Sequence, residues 1–126
     1  MPMESLNVTN DNEFMSEVKI SNDVIATVAA LAATEVEGVD SLAGNATNDS
    51  IKKYGARNGS KGVEVNFNDE GKSVNCRLGV TMKFGYSIPE TCNLVQDKVK
   101  NAIESMIGLD VTNVSINIVD VNVNQR

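Results

Sequence analysis

Alternating apolar and polar residues in the second half of the chain predict three β-strands. Residues 63–67 and 73–84 carry an apolar side chain at every second position, and residues 111–121 do so from Val114 to Ile118. This is the period of a strand with one buried face. The letters NDEG at 68–71 favour a tight turn, so we expect the first two strands to form a hairpin. The positions expected to face the core are Val63, Val65, Phe67, Val74, Cys76, Leu78, Val80, Met82, Phe84, Val114, Ile116 and Ile118.

Apolar residues recur at three- and four-residue spacing over 22–37, which predicts an amphipathic helix. Ser21 is suited to cap its first turn, and Gly38 is suited to end it. Five alanines keep this helix slim, so we expect it to lie close against a sheet. Its expected buried positions are Val24, Ile25, Val28, Leu31, Ala32 and Val36.

A second helix is predicted between Ser87 and Gly108. Ser87 and Glu90 have the spacing of a capping box, and Pro89 falls in the first turn, where its missing N–H costs nothing. Gly108 is expected to end the helix. Its expected apolar stripe is Cys92, Val95, Val99, Ala102, Ile103 and Met106.

The remaining segments are shorter or less regular. Residues 1–14 are predicted to be a flexible N-terminal tail, and residues 17–21 alternate as a short strand. Residues 39–62 show little periodicity and are predicted to be irregular. Residues 15–124 then form one domain in the order β-α-β-β-α-β. The predicted class is α+β, a two-layer sandwich with two helices on one face of a mostly antiparallel four-stranded sheet.

Charge and composition reduce the number of possible functions. The 126 residues carry a net charge of −6, and aromatic residues make up 4% with no Trp. Nucleic-acid binding over the whole surface is disfavoured, because such binding relies on cations that neutralise phosphates. Adhesion to a bare anionic membrane is disfavoured for the same reason. The chain has no His, the commonest general base and metal ligand, so we expect no enzymatic activity.

No targeting or cofactor motif is apparent. The N-terminus lacks a cationic region followed by an apolar run, and the most apolar stretch, 24–33, is too short to span a bilayer. We therefore expect a cytoplasmic protein. Phosphate-binding, dinucleotide-binding and calcium-binding loops are missing from the sequence, and two Cys do not make a metal site. We predict no cofactor, no metal and no catalytic residue.

Cys92 raises the one question of reactivity, because helix N-termini lower thiol pKa values. It falls in the apolar stripe of its helix, and Cys76 alternates with Val74 and Leu78. Burial among apolar residues raises a thiol pKa, and no His is present to activate either group. Both are interpreted as packing residues rather than nucleophiles.

A basic segment interrupts the acidic chain. Residues 46–62 have a net charge of +3, whereas the rest of the chain carries −9. The letters GSKG at 59–62 match the G-x-x-G loop of KH modules, which clamps a nucleic-acid backbone. Two other interpretations are open. The segment is either a solvated loop or an electrostatic contact for an acidic partner, and another copy of this acidic chain is one such partner. Within this region, residues 52–61 are called the basic segment. Its cations are Lys52, Lys53, Arg57 and Lys61.

Three blocks of the sequence resemble the alkaline shock protein family, the envelope stress response proteins of Gram-positive bacteria. The blocks are GYSIPETCNLVQDKVKNAIESMIGLDVTNVSINIVDV (85–121), EVKISNDVIATVAALAATEVEGV (17–39) and KGVEV (61–65). The likeness spans residues 17–121 with the blocks in the same order. It implies a small cytoplasmic domain without known catalytic residues. It also implies a role in envelope homeostasis, with self-assembly and attachment to the membrane through a protein anchor in some members.

The sequence therefore predicts a non-enzymatic interaction protein of the envelope stress response. It is expected to self-associate and to dock on a membrane-anchored protein, remaining cytoplasmic and peripheral at the membrane. The alternative is an RNA-binding module that uses the basic segment. Contacts are expected through the basic segment and the polar sheet face, which comprises Glu64, Asn66, Asn75, Arg77, Thr81, Lys83, Asn113, Ser115 and Asn117.

Overall fold

The computed structural model describes residues 21–59, 62–68 and 72–123. These residues form three helices and one four-stranded sheet, so the predicted α+β class is confirmed. The elements in chain order are α1 (Asn22–Thr34), β1 (Val39–Leu42), α2 (Asn48–Tyr54), β2 (Val63–Asn68), β3 (Ser73–Lys83), α3 (Ile88–Met106) and β4 (Asp110–Asn122).

Strand β3 lies at the centre of the sheet. On one side it pairs antiparallel with β2 over Ser73 to Leu78 and with β1 over Val80 to Met82. On the other side it pairs parallel with β4 along its whole length. The predicted hairpin of β2 and β3 is confirmed. The parallel pairing follows from α3, since a helix between two strands returns the chain to the end at which it began.

Segment 39–62 was predicted wrongly, because it contains β1 and α2. The fourth strand of the sheet is therefore β1, and the predicted element order lacks both elements. Helix α2 has seven residues, among which Ile51 is the buried apolar residue. One apolar position gives no period, so the helix cannot be detected by pattern. The strand predicted at 17–21 lies outside the described residues except for Ser21.

Helix α1 begins as predicted, because the Ser21 side chain accepts a hydrogen bond from the Val24 N–H at 3.2 Å. It ends at Thr34, three residues earlier than expected. Ile25 is buried as expected, but Val24 is 50% exposed. Alanines form most of the buried face and bring the helix against α3, β1 and β2.

Gly38, in the turn between α1 and β1, allows a close approach of α3. Its φ of +104° favours glycine, and an added Cβ would lie 3.1 Å from Thr91 Oγ1 and from the Tyr86 ring. The turn therefore packs against the first turn of α3 without space for a side chain.

Helix α3 begins at the predicted cap, where the Ser87 hydroxyl accepts a hydrogen bond from the Glu90 N–H at 3.4 Å. Val95, Val99 and Ile103 are buried as predicted. Two expectations for the stripe were wrong, because Cys92 is only half-buried and Met106 is 74% exposed.

Most strand positions predicted to face the core are buried between the sheet and the helices. The exceptions are Phe67 and Phe84, which are 37% and 63% exposed. Both lie at strand ends, which the helices do not cover. Ile116 and Ile118 of β4 are only partly buried. The positions predicted to face the core that are almost fully buried are Val63, Val65, Val74, Cys76, Leu78, Val80 and Met82, and Val39 and Leu42 of β1 are buried beside them.

Candidate interaction surface

The polar sheet face lies opposite the apolar side of the sheet. Its residues come from three neighbouring strands and form cross-strand rows. Glu64, Arg77 and Ser115 are in register in one row, and Asn66, Asn75 and Asn113 form the next. The structure thus brings together side chains that the sequence separates by about fifty residues.

Asparagine amides connect the end of this face near the β2–β3 turn. Asn66 Nδ2 lies 3.5 Å from Asn75 Oδ1, and Asn75 Nδ2 lies 3.4 Å from Asn68 Oδ1. Asn68 Nδ2 in turn donates to Thr112 Oγ1 at 3.2 Å. The contacts between asparagines are long, and the Asn66–Asn75 and Asn68–Thr112 contacts are solvent-exposed, so their donors and acceptors can bond to a partner instead.

Charge on the polar sheet face is sparse and balanced. Arg77 Nη1 lies 3.5 Å from Glu64 Oε1; the Arg77 side chain is largely exposed and the Glu64 side chain is partly exposed. An exposed pair of this kind contributes little to stability. Further along β3, Thr81 lies opposite Asp120, and Lys83 lies opposite Asn122. Between these charged positions, the edge-strand residue Asn117 lies beside Gly79, and neither carries a charge.

The basic segment does not adjoin the polar sheet face. Lys52 and Lys53 occupy the last turn of α2, where cations are favoured by the helix dipole, and Arg57 follows in the loop. Helix α2 contacts α1, which packs on the apolar side of the sheet. The two predicted contact regions are therefore separate surfaces. Lys61 lies outside the described residues.

Hydrogen bonds hold the segment after α2 against α1. The Thr27 hydroxyl accepts from the Ala56 N–H at 2.9 Å and lies 3.1 Å from the Ala56 carbonyl. Asp23 Oδ1 accepts from the Asn58 N–H at 2.9 Å. These bonds fix a segment that the sequence analysis took to be irregular, and Tyr54 remains 81% exposed beside its cations.

Neither thiol is placed in an activating environment. Burial raises the pKa of the Cys76 thiol to about 11, and partial burial also raises the pKa of Cys92. A raised pKa lowers the thiolate fraction at neutral pH, and the thiolate is the nucleophile. The buried environment of Cys76 agrees with a packing role, whereas Cys92 is half-buried and is less packed than predicted.

The edge of β4 is a candidate contact region that the sequence analysis missed. Gln96 Nε2 donates to the Val114 carbonyl at 2.9 Å, and Glu104 Oε2 accepts from the Val111 N–H at 3.2 Å. These two α3 side chains occupy part of that edge. Strand alternation identifies which face of β4 is buried, but it does not show which strands are neighbours.

Comparison with known proteins now identifies the family. The sequence model of the Asp23 family, described as having a cell envelope-related function, matches residues 10–123. The chain belongs to the Asp23 family. This is the alkaline shock protein family, so the resemblance seen in the sequence is confirmed. The number in the name belongs to the family and is unrelated to the residue so numbered here.

Other Asp23-family relatives are similar over most of their length. The uncharacterized protein YqhY of Bacillus subtilis is 31% identical over 116 residues, covering 92% of this chain and 84% of that protein. The uncharacterized protein YloU of the same organism is 34% identical over 109 residues, covering 85% of this chain and 89% of that protein.

A third Asp23-family relative, the uncharacterized protein Spy1614 of Streptococcus pyogenes, is 34% identical over 108 residues. That alignment covers 84% of this chain and 88% of the relative. No solved structure matches the chain significantly. Within residues 21–59, 62–68 and 72–123, no helix has the length and apolar character required to cross a membrane.

Proposed function

We propose that this chain is a non-enzymatic cytoplasmic protein that serves cell-envelope homeostasis through protein contacts. It self-associates and docks on a membrane-anchored protein, which places it at the membrane without insertion. The observation that carries the proposal is the match of residues 10–123 to a family with a cell envelope-related function. The exposed surfaces of the chain are better suited to binding other proteins than to catalysing a reaction.

The polar sheet face supports reversible contact. Its exposed Asn and Ser side chains are short, and an Asn amide both donates and accepts hydrogen bonds. Short side chains lose less conformational entropy on binding than Lys or Glu. A flat surface of this composition favours association that is specific but weak.

The basic segment supports docking on an acidic protein. Lys52, Lys53 and Arg57 are exposed on a chain that is otherwise strongly acidic. Oppositely charged surfaces accelerate encounter and fix orientation. Exposed charges are screened beyond about 8–10 Å at moderate ionic strength, so partner binding should weaken as salt is raised.

A pull-down from the native cell's membrane fraction tests this docking. The bait is the full chain, compared with a triple variant that changes Lys52, Lys53 and Arg57 to Gln. The matched control changes Lys72, Lys98 and Lys100 to Gln, which alters the net charge equally at other exposed positions. A membrane protein recovered by the wild type and the control, and reduced at least about tenfold with the basic-segment variant, supports the proposal. Equal recovery by all three baits contradicts the role of the basic segment, and no recovered protein contradicts docking.

RNA binding is the second candidate, supported by the exposed Tyr54 beside Lys53. An aromatic ring next to cations is suited to stack on an unpaired base while the cations contact phosphates. A gel shift with mixed single-stranded RNA at low salt distinguishes the candidates. A shift that disappears with Tyr54→Ala supports RNA binding, whereas no shift with the wild type excludes it in favour of protein docking.

A further inference from the structure

We infer that the open edge of β4 is the site at which two copies of this chain pair, strand to strand, about a two-fold axis at Asn117. The inference rests on the self-association included in the proposed function and names its surface. It follows from the directions of the backbone groups in β3 and β4, from the side chains that cover part of the edge, and from the distribution of charge.

The backbone directions are fixed by the pairing of β3. The Gly79 N–H donates to Gly62 and the Gly79 carbonyl accepts from Ala43, so the Gly79 groups point toward β1 and β2. Successive residues of a strand point their backbone groups to opposite sides. The groups of Leu78 therefore point toward β4, in which Leu78 lies opposite Ile116.

In a parallel pair, a residue bonds to the two residues that flank its partner. Leu78 therefore bonds to Ser115 and Asn117, and the N–H and C=O groups of Ile116 and Ile118 point to the open edge. The same alternation places the Val114 carbonyl on that edge, where it accepts from Gln96. The side-chain contact thus agrees independently with the direction derived from the sheet.

The edge is covered at both ends and open in the middle. Glu104 accepts from the Val111 N–H, Gln96 donates to the Val114 carbonyl, and the Asp120 carboxylate accepts from the Val121 N–H at 2.8 Å. Among the described residues, β4 pairs with β3 alone. Four backbone groups, those of Ile116 and Ile118, are left without a described partner on this edge.

A second copy satisfies these four groups. Rotation by 180° about an axis at Asn117 places Ile116 opposite Ile118 of the other copy, and the reverse. Each pair exchanges two N–H···O=C bonds, so four bonds use all the open groups of both chains. The shifts of register near Val74 and Val80 of β3 limit the regular ladder of β4, so the pairing is confined to this short window.

Side chains and charge favour a second copy over an unrelated strand. Residues 111–119 contain no charged residue, so two acidic chains can approach there without opposed carboxylates. Ile116 and Ile118 are only partly buried, although their β3 neighbours Leu78 and Val80 have no exposed surface. Pairing of two copies covers the remaining apolar surface on both.

Cysteine cross-linking tests the axis directly. Residues opposite each other in a non-hydrogen-bonded antiparallel pair have Cα atoms about 4.5 Å apart, within the range of a disulfide. In a Cys92→Ala background, Asn117→Cys should form a covalent dimer under mild oxidation, measured on a non-reducing gel. Asn66→Cys is the matched control, exposed on the same face but on β2.

Sedimentation of substituted chains tests the backbone bonds. Ile118→Pro removes an N–H that points to the open edge and two of the four bonds in the dimer, so the dissociation constant should rise at least about tenfold. Ile118→Ala trims the same side chain but keeps the N–H, and it should have a much smaller effect. Raising salt should leave this association unchanged or strengthen it, because the net charge of both copies is negative.

The outcomes separate the two levels of the inference. A wild-type chain that associates without selective Asn117→Cys cross-linking, or with equal effects of Ile118→Pro and Ile118→Ala, overturns the β4 pairing while self-association stands. A wild-type chain that is monomeric at every concentration and salt overturns both. Selective cross-linking together with the Pro-specific loss supports the pairing.

Discussion

The edge of the sheet formed by β1 and β2 is covered by neighbouring loop residues, whereas the edge formed by β4 has no partner at Ile116 and Ile118 among the residues that the structure describes. The Val63 carbonyl accepts from the Gly59 N–H at 3.0 Å, and the Val65 N–H donates to Asn58 Oδ1 at 2.6 Å. The Leu42 N–H donates to the Ala46 carbonyl at 2.9 Å. Residues 42–59, which look irregular in sequence, thus provide the backbone and side-chain groups that close this edge.

The difference between the covered β1–β2 edge and the open β4 edge affects which edge can pair with a second copy of the chain. Unpaired strand edges are templates for other strands, and proteins usually protect them with charge, Pro, bulges or covering segments. Strand β4 has two bulges and acidic residues near its ends, but its middle is neutral and is not covered by any residue of 21–59, 62–68 or 72–123. An open edge of limited length permits defined pairing while restricting extended aggregation.

Proline substitution along β4 gives the largest expected effect. Asn117→Pro removes an N–H that bonds to β3 and leaves its acceptor without a partner, so we expect a loss of about 1–3 kcal/mol in the free energy of unfolding. Ile118→Pro removes the adjacent N–H, which points to the open edge, and should cost the monomer little more than Ile118→Ala. Urea unfolding of dilute protein measures both. Equal losses for the two Pro variants would show that the backbone directions assigned to β4 are wrong.

Opening the covered edge is expected to have a smaller effect. Asn58→Ala removes the oxygen that accepts from the Val65 N–H, and the lost bond should lower the unfolding free energy by about 1 kcal/mol. The Val65 amide should also exchange with solvent faster, which NMR detects. Asn66→Ala is the control, since the side chain of Asn66 makes a long contact to Asn75 and no other hydrogen bond within the described part of the chain. An unchanged Val65 exchange rate would mean that Asn58 does not close this edge.

Uncovering more of β4 should have the smallest effect on stability. Gln96→Ala removes the side chain that donates to the Val114 carbonyl, at a cost of about 1 kcal/mol or less. Because the two-fold axis at Asn117 places Val114 opposite Asp120, beyond the register shift, the freed carbonyl gains no strand partner and self-association should change little. Asp97→Ala, at a neighbouring exposed position, is the control for loss of a polar side chain from α3. Weaker association of the Gln96 variant, relative to both wild type and control, would oppose this account of the edge.

The elements with a repeating pattern of apolar residues could be predicted from the sequence. The features that depend on contacts between distant residues could not. Alternation located β2, β3 and β4, and helical spacing with Ser21 and Ser87 located α1 and α3. Helix α2 was missed because its seven residues contain one buried apolar position. Phe84 and Met106 were assigned to the core because periodicity continues past the point at which neighbouring elements stop.

The candidate interaction surfaces, like the fold, could be predicted in part from the sequence. The residues of the polar sheet face follow from strand alternation, although their arrangement in rows required the register of three strands. The bonds from Asn58 to Val65 and from Gln96 to Val114 join side chains to backbone across the fold. A local sequence pattern does not predict such bonds. The difference between the β1–β2 edge and the β4 edge is therefore visible only in the structure.

Amide hydrogen exchange at different protein concentrations tests the contrast most directly. In dilute monomer, the Ile116 and Ile118 amides should exchange rapidly, while the Val65 amide is protected by Asn58. At concentrations that favour association, the two isoleucine amides should become protected and Val65 should change little. Ile116 and Ile118 amides that are as protected as Val65 in the dilute monomer, or that do not respond to concentration in an associating sample, would contradict the account.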